Sequence, residues 1–346
     1  MSDDQAPLAE EIAPGLLRVD SWLPFKGLKQ INLWFLEDGD GWTMIDCGFA
    51  ADRVREQLEV VWATCLNGKP VTRLIVTHFH PDHMSNCRWI CDRWKIEPWM
   101  TTPEWFAAQL AIIDKHTDDV PNSATFYRRH DLAERFIETY NEGFILYSDC
   151  VELSDTYRSI ADNEVIAIGG RKWRVVQGAG HSPAMASLYC EELGIFIAGD
   201  QVLPKISPNI SIVHWDPHGD PLQAYFTSLD RMQREIADDV LVLPSHRLPF
   251  RSLHTRLNEL RAHHHSRLDK IRDMVPVGGL LSGADCMAGL FGHDLDGQQV
   301  YFAMGEALAH INYLCSIRLC LRRDCGELSL QACQVKAKGE CDDEVP

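Results

Sequence analysis

The chain has 346 residues, of which 45% are hydrophobic and 24% are charged, and these fractions exclude a disordered, collagen-like or fibrous chain. The length allows one large domain with an appendage, or two domains. Fifty acidic against 33 basic side chains give a formal net charge of −17, which repels phosphate backbones and anionic lipids, so we expect a small-molecule substrate and neither nucleic acid nor a membrane as partner.

The first hundred residues predict strands and helices in alternation. Ile31–Leu36 and Trp42–Asp46 flank a Gly-Asp-Gly turn, which predicts an antiparallel hairpin. Ala51–Thr64 carries apolar residues at helical spacing, and Val71–Thr77 is a β-branched run short enough to be a buried strand. We therefore expect the second strand of the hairpin to be followed by a helix and then by another strand.

Residues 102–162 predict a helical insertion that is rich in aromatic side chains. One helix is expected over Pro103–Lys115, because Pro in the first turn with Glu beside it is typical of a helix start. Two interpretations stay open. The insertion could roof a pocket, or its rings could form only the apolar faces of packing helices.

A second group of strands follows the insertion, and a largely helical tail follows those strands. The expected strands are Glu164–Ile168, Trp173–Gln177, Ala186–Cys190, Ile195–Ala198 and Asp239–Leu243. Helices are expected over Pro221–Ile236 and from Ser252 to Met274. The two β-rich blocks could form halves of one sandwich. We place a catalytic domain at residues 1–256 and a small C-terminal helical subdomain at 257–346.

A cluster of ligand-type side chains comes directly after the strand Val71–Thr77. The segment His78-Phe79-His80-Pro81-Asp82-His83 places four such side chains within six residues. Alternate residues of an extended segment share a face, so His78 and His80 can turn towards one point, while the turn at Pro81 redirects Asp82 and His83 to a neighbouring point.

Three further candidates, His181, Asp200 and His246, each follow a strand and a turn containing Gly or Pro. Each alone is more simply explained as a hydrogen-bonded turn residue. Taken together, these side chains predict a metal site, because imidazole and carboxylate without thiolate suit zinc, and also iron or manganese. Seven ligands are too many for one tetrahedral ion and enough for two; they are His78, His80, Asp82, His83, His181, Asp200 and His246.

At these motifs the sequence resembles the metallo-β-lactamase fold hydrolases, in the branch with a dinuclear site typified by glyoxalase II enzymes, N-acyl homoserine lactonases and lactamase-like protein 2. The resemblance covers about residues 8–250 and includes residues 41–48, which look like the family's strand ending in Asp-x-Gly. It implies an αββα sandwich with metals at the open edge between the sheets. Residues 257–346 resemble the winged-helix-like appendage of lactamase-like protein 2.

The resemblance also implies a role for each ligand. One metal would take three imidazoles and the other a carboxylate with two imidazoles; the first set is His78, His80 and His181, and the second is Asp82, His83 and His246. Asp200 would bridge the two metals, and Asp46 would orient a ligand from behind. Asp82 could also orient the nucleophile. Arg247 and Ala184-Met185 depart from residues common in relatives, which weakens any analogy of substrate.

Two metals at this spacing favour hydrolysis of an ester, lactone or thioester through a bridging hydroxide. We therefore expect a hydrolase with two zinc ions, and iron or manganese would suit the same ligands. A mononuclear iron oxygenase similar to the persulfide dioxygenases is the alternative. Phosphodiester cleavage ranks third because of the net charge of −17, and a metal-binding module without catalysis is a further alternative.

Several other features carry weaker expectations. His263-His264-His265 cannot converge on one ion, because consecutive side chains of a helix point about 100° apart. The loop Pro204–Pro221 could form a wall of the substrate site, or a plain surface connection. The acidic first residues carry no leader pattern and no run of eighteen apolar residues occurs, which favours a cytoplasmic protein. The C-terminal helices could pair two copies as a homodimer.

Overall fold

The computed structural model describes residues 8–113, 122–143, 147–275, 281–317, 320–325 and 330–335. The chain divides into two compact units. The first comprises residues 1–113, 146–208 and 231–256, and the second comprises 114–145, 209–230 and 257–346. Within the described ranges, no helix combines the length and the hydropathy needed to cross a bilayer.

The first unit contains a seven-stranded sheet whose strands lie side by side in chain order. The strands are β1 (Glu10–Ala13), β2 (Leu16–Trp22), β3 (Gln30–Asp38), β4 (Gly41–Ile45), β5 (Val71–Ile75), β6 (Pro98–Met100) and β7 (Arg158–Ser159). Strands β1 to β4 pair antiparallel, and β4 to β7 pair parallel. The predicted hairpin is therefore present as β3 and β4, and the sheet continues through crossovers.

A second sheet of the same unit has five strands. They are β8 (Val165–Ile168), β9 (Arg171–Gly178), β10 (Met185–Cys190), β11 (Ile195–Gly199) and β12 (Leu241–Pro244). These strands also lie side by side in chain order, and only β11 and β12 pair parallel. Both β10 and β11 are buried along their whole length, as expected for strands covered on both faces.

The core of the first unit lies between the two sheets. Trp34, Ile45 and Ile75 of the first sheet share one cluster with Trp173 and Leu188 of the second. All five side chains are fully or almost fully buried, so burial of these two apolar faces stabilises the sandwich. The αββα class expected from the sequence is confirmed.

Among its described residues the first unit has five helices: α1 (Asp52–Thr64), α2 (Pro81–Met84), α3 (Cys87–Trp94), α4 (Thr102–Ile113) and α7 (Tyr147–Cys150). Helix α1 buries Val54, Leu58 and Val61, which lie on one face of a helix because of their spacing. Helices α2 and α3 are separated by Ser85 and Asn86. Pro81 opens α2 because its fixed φ and missing N–H suit the first helical position.

The second unit contains four helices and a two-stranded sheet among its described residues. They are α5 (Asn122–Arg128), α6 (Glu134–Gly143), α10 (Gly283–Phe291), α11 (Gly297–Ser316), β13 (Cys320–Cys325) and β14 (Leu330–Val335). Helices α8 (Pro221–Glu235) and α9 (Leu253–Met274) contribute residues to both units. The capping boxes at Ser282 and Asp296 explain where α10 and α11 begin. The hairpin of β13 and β14 was not predicted.

Candidate metal centre

The first ligand group combines His78 and His80, in the loop after β5, with His181, in the loop between β9 and β10. Their ligand atoms all lie within 4.8 Å of one another. His78 Nε2 and His80 Nδ1 are 3.0 Å apart, and the ring centres of His80 and His181 are 4.5 Å apart. We call these residues the three-imidazole group; its members come from both sheets of the sandwich.

The second ligand group consists of Asp82 and His83, at the start of α2, and His246, just after β12. Their ligand atoms also lie within 4.8 Å of one another, and all three residues are buried. His246 Nε2 is 3.3 Å from Asp82 Oδ2, and His83 Nε2 is 3.6 Å from the same oxygen. We call these residues the aspartate group.

Asp200, at the end of β11, reaches both groups. Its Oδ2 is 3.3 Å from His246 Nε2 and 3.5 Å from His181 Nε2, and its Oδ1 is 3.6 Å from His83 Nε2. One carboxylate therefore faces an imidazole of the three-imidazole group and two imidazoles of the aspartate group. The structure brings together all seven side chains that the sequence singled out as candidate ligands.

The two groups differ in electrostatics. Burial, with a contribution from His83, holds the pKa of His78 well below its usual value, and burial lowers the pKa of His80 to about 3. Burial also opposes charge on His246, but the Asp200 and Asp82 carboxylates outweigh it and raise the pKa of His246 to about 10. The three-imidazole group is therefore ready to bind a cation as neutral rings, whereas positive charge is already favoured in the aspartate group.

Asp46 orients one ring of the aspartate group from behind. Its carboxylate accepts hydrogen bonds from the Thr77 N–H at 2.7 Å and from the Thr77 hydroxyl at 3.0 Å, and it lies 2.8 Å from His83 Nδ1. A carboxylate at the rear nitrogen directs the other nitrogen, Nε2, towards the ligand cluster. Asp46 has φ +61°, a left-handed conformation that costs energy for a residue with a side chain and is typical of functional sites.

His246 is held from behind by main-chain and side-chain contacts. Its Nδ1 lies 3.0 Å from the Gln30 carbonyl oxygen on β3, which can accept a hydrogen bond there. The Asn32 amide, also on β3, donates to the carbonyls of Pro244 at 2.8 Å and Arg247 at 2.6 Å. Asn32 thus holds the turn at one residue before His246 and at one residue after it. The sequence analysis missed Asn32, because one Asn in a strand carries no signal of a partner more than two hundred residues away.

Several buried polar atoms at the centre have no hydrogen-bond partner among the described residues. They are His83 Nε2, His246 Nε2 and Asp200 Oδ1. Buried polar atoms are normally satisfied, so a cluster of exceptions needs an explanation. Imidazole nitrogens and carboxylate oxygens at this spacing, without a thiolate, fit divalent cations of the zinc type.

Glu104, in the first turn of α4, is a second residue that the sequence analysis missed. It is fully buried, and its carboxylate accepts from the Phe79 N–H at 3.0 Å, the Ser182 hydroxyl at 2.7 Å and the Ala184 N–H at 2.6 Å. Burial raises the pKa of Glu104 to about 7, although these three donors oppose the shift. A Glu next to Pro at a helix start ordinarily faces solvent, so nothing in the sequence marks it.

A tyrosine of the predicted insertion also reaches this region. The Tyr147 hydroxyl donates to the Phe79 carbonyl at 2.6 Å, so it supports the loop between His78 and His80.

Of the predicted substrate loop, residues 204–208 fall in the first unit and residues 209–221 in the second. Arg256 holds the carbonyls of Leu203 and Ile206 at the beginning of that loop.

A third group of ligand-type residues lies in the second unit. The ligand atoms of His264, Glu306 and His310 are within 4.8 Å of one another and the residues are buried; we call them the His264 cluster. His264 Nδ1 is 3.2 Å from His310 Nε2, and His310 Nδ1 is 2.7 Å from the Glu306 carbonyl oxygen. The Glu306 carboxylate accepts from Arg267 and from Asn209. Of His263, His264 and His265, only His264 is fully buried.

Comparisons with known proteins agree with this geometry. A family model described as the Metallo-beta-lactamase superfamily matches residues 27–246, and a model described as the Metallo-beta-lactamase-like C-terminal domain matches residues 271–329. The crystal structure of a beta-lactamase domain protein from Burkholderia ambifaria is similar, with a TM-score of 0.87 and 36% identity over 96% of each chain.

Two curated relatives are more distant in sequence. The probable metallo-hydrolase YqjP of Bacillus subtilis is 23% identical over 300 residues, which cover 81% of this chain and 86% of that protein. An uncharacterized protein of Aquifex aeolicus is 30% identical over 104 residues, which cover 30% of this chain and only 47% of that protein.

Proposed function

Since this chain belongs to the metallo-β-lactamase superfamily, we propose that it is a hydrolase that binds two zinc ions and cleaves an ester, a lactone or a thioester. The arrangement of the candidate ligands is the observation that carries the proposal. Two groups of three side chains lie on either side of one carboxylate, Asp200. The name of the Bacillus subtilis relative, probable metallo-hydrolase, supports the reaction class.

Each ligand has a role in this proposal. The three-imidazole group would hold one cation, the aspartate group would hold the other, and Asp200 lies within reach of both groups. Such cations lower the pKa of a bound water from 15.7 to about 7 and polarise the carbonyl of a substrate. The same ligands would accept manganese or iron, so the identity of the metal is part of the proposal.

Asp82 has a second task, which is to orient the attacking water. Burial would favour the protonated acid, but the nearby His83 and His246 outweigh burial and lower the pKa of Asp82 below its usual value. Asp82 is therefore a carboxylate at neutral pH and accepts a hydrogen bond from the nucleophile. Asp46 acts through Thr77 and His83, and the Thr77 hydroxyl also lies 3.0 Å from His78 Nδ1, so Asp46 positions ligands and does not touch the substrate.

The substrate class follows from charge and from the ligand set. The net charge of −17 disfavours a polyanion such as nucleic acid, which leaves a small carbonyl compound as the proposed substrate. An arrangement with two cation positions distinguishes this proposal from an oxygenase with one iron, whose metal is held by two imidazoles and one carboxylate.

A substrate panel tests the proposal. The full chain is stripped with a chelator, reloaded with zinc, manganese or ferrous iron, and assayed on a lactone, a thioester, an aryl ester, a phosphodiester and a persulfide. We expect metal-dependent turnover of at least one acyl substrate, and no turnover by a His246→Asn variant. Oxygen-dependent oxidation of the persulfide with one iron per chain would replace the proposal with the dioxygenase. Bound metal without turnover of any substrate would indicate that the protein binds metal but is not an enzyme.

A further inference from the structure

We infer that Glu104 is a positioning residue that holds the three-imidazole group together, as Asp46 does for the aspartate group. The inference rests on the proposed function, because it assigns a task towards the metals proposed there. Glu104 touches no candidate ligand side chain. It acts on the two loops that carry His80 and His181.

The hydrogen bonds of Glu104 connect the two sheets at the ligand loops. Phe79, which donates to Oε2 at 3.0 Å, lies between His78 and His80 in the loop after β5. Ser182 and Ala184 donate to Oε1 at 2.7 Å and 2.6 Å, and they follow His181 in the loop before β10. One carboxylate on α4 therefore fixes the distance between both parts of the three-imidazole group.

Neighbouring contacts hold the same two loops at their carbonyl groups. The Tyr147 hydroxyl donates to the Phe79 carbonyl at 2.6 Å, and the Thr101 hydroxyl donates to the Ala184 carbonyl at 2.8 Å. Phe79 and Ala184 are thus each held at the N–H by Glu104 and at the C=O by a hydroxyl. Because Phe79 stands between two ligands, the orientation of its peptide groups sets the direction of both histidines.

The chemistry of these donors requires a carboxylate at position 104. All three partners donate, and they favour the ionised carboxylate, which only accepts. An amide has one accepting oxygen, so Gln at this position would turn an NH₂ group towards at least one N–H or O–H. The fully buried position excludes water as a replacement acceptor.

The aspartate group depends on other contacts. Asp46 holds Thr77 and His83, the Gln30 carbonyl faces the rear of His246, and Asn32 fixes the turn beside it. None of these bonds involves Glu104. Loss of the Glu104 carboxylate is therefore expected to weaken one metal position and spare the other.

The experiment compares metal binding by the wild type, Glu104→Gln and Glu306→Gln. Glu306 is a matched control, because it is another buried carboxylate that accepts hydrogen bonds, but it lies in the second unit. The full-length proteins are stripped and titrated with zinc against a chromogenic chelator, which gives stepwise affinities. We expect Glu104→Gln to weaken one zinc equivalent by about 10–100-fold, as loss of a partner behind a metal ligand does, and to leave the other unchanged. Glu306→Gln should leave both unchanged.

Each of the following results would overturn the inference. Unaltered affinity for both zinc equivalents in a folded Glu104→Gln protein would show that Glu104 does not support the site. Equal weakening of both equivalents in Glu104→Gln would indicate general destabilisation. Weakening of both equivalents in Glu306→Gln would indicate the same. If Glu104→Gln does not fold, Ser182→Ala removes one donor only and should weaken the same single equivalent by about 2–10-fold; no change there also contradicts the inference. A wild type that binds no zinc would overturn the proposed function and the inference with it, whereas the other results leave the proposed function standing.

Discussion

The metal-ligand cluster of the first unit and the His264 cluster of the second unit are built from the same kinds of side chain. Both bring histidine nitrogens and carboxylate oxygens within 4.8 Å of one another, and both are largely buried. In the first unit, acceptors at Asp46 and Gln30 face the rear nitrogens of His83 and His246. Both front nitrogens, together with Asp200 Oδ1, have no hydrogen-bond partner among the described residues.

In the His264 cluster most of the polar atoms face one another or other donors, and only His264 Nε2 among the three residues is buried without a hydrogen-bond partner in the described part of the chain. His264 and His310 face each other, His310 also faces the Glu306 carbonyl, and Arg267 and Asn209 donate to the Glu306 carboxylate. The guanidinium of Arg267 already supplies the positive charge that a cation would bring. The comparison teaches that the proximity of ligand-type residues does not define a metal site; several convergent atoms without other partners do.

Asp200→Asn should have the largest effect, because this carboxylate faces both ligand groups. We expect activity and metal binding to fall by more than the roughly 10–100-fold that loss of a partner behind a ligand costs. Steady-state kinetics and elemental analysis measure the two quantities. Asp52→Asn, at an exposed residue of α1, is the control. Full activity in Asp200→Asn would break the comparison, since a central carboxylate would then be dispensable.

Asp46→Asn should have the next largest effect. The amide can still face one donor of Thr77 or His83, but not all of them, so the His83 ring loses its fixed orientation. We expect metal affinity to fall by about 10–100-fold. Stepwise titration with zinc measures this loss. Unchanged affinity would show that the rear contact to His83 is not needed.

Asn32→Ala should have a smaller effect, because Asn32 holds main-chain carbonyls and not a ligand. Its two hydrogen bonds to Pro244 and Arg247 fix the turn beside His246. We expect metal binding to weaken by about 2–10-fold, the equivalent of roughly one hydrogen bond. Asn258→Ala, at an exposed position of α9, serves as control. A larger loss than that of Asp46→Asn would reverse the proposed order of the supporting residues.

The His264 cluster should affect stability and leave metal content unchanged. Burial lowers the pKa of His264 to about 2 and of His310 to about 3, below the value of about 6.5 expected for an unfolded chain. Below about pH 6.5 the unfolded state therefore binds more protons than the folded state. The contribution of these two histidines to the free energy of unfolding is fully present above that pH and is lost on acidification towards pH 3.

A double variant, His264→Phe with His310→Leu, measures this contribution. The free energy of unfolding is measured between pH 7 and pH 4. As the pH falls, it should decrease less steeply for the variant than for the wild type, and the difference in slope should correspond to up to about two protons. Metal content should be the same in both. An equal slope would show that these histidines titrate normally, and a lost metal equivalent would turn the cluster into a metal site.

The sequence predicted the ligands better than their supports for a physical reason. Four ligands lie within the six residues 78–83, and the other three each follow a strand at a turn, so local patterns mark them. Glu104 bonds to Phe79 and Ser182, which are 25 and 78 residues away, and these pairings depend on packing that no local pattern encodes. Most strands of the two sheets were predictable from periodicity, but the short strands β1, β6 and β7 were not, and β7 lies within the predicted helical insertion. The hairpin of β13 and β14 was hidden behind an expectation of helix.

Anomalous diffraction from crystals of the zinc-loaded full chain tests the central claim most directly. The account predicts two peaks, one among His78, His80 and His181 and one among Asp82, His83 and His246, with Asp200 in reach of both and no peak at His264. A map without a peak at these residues, or with its only peak at the His264 cluster, would contradict it.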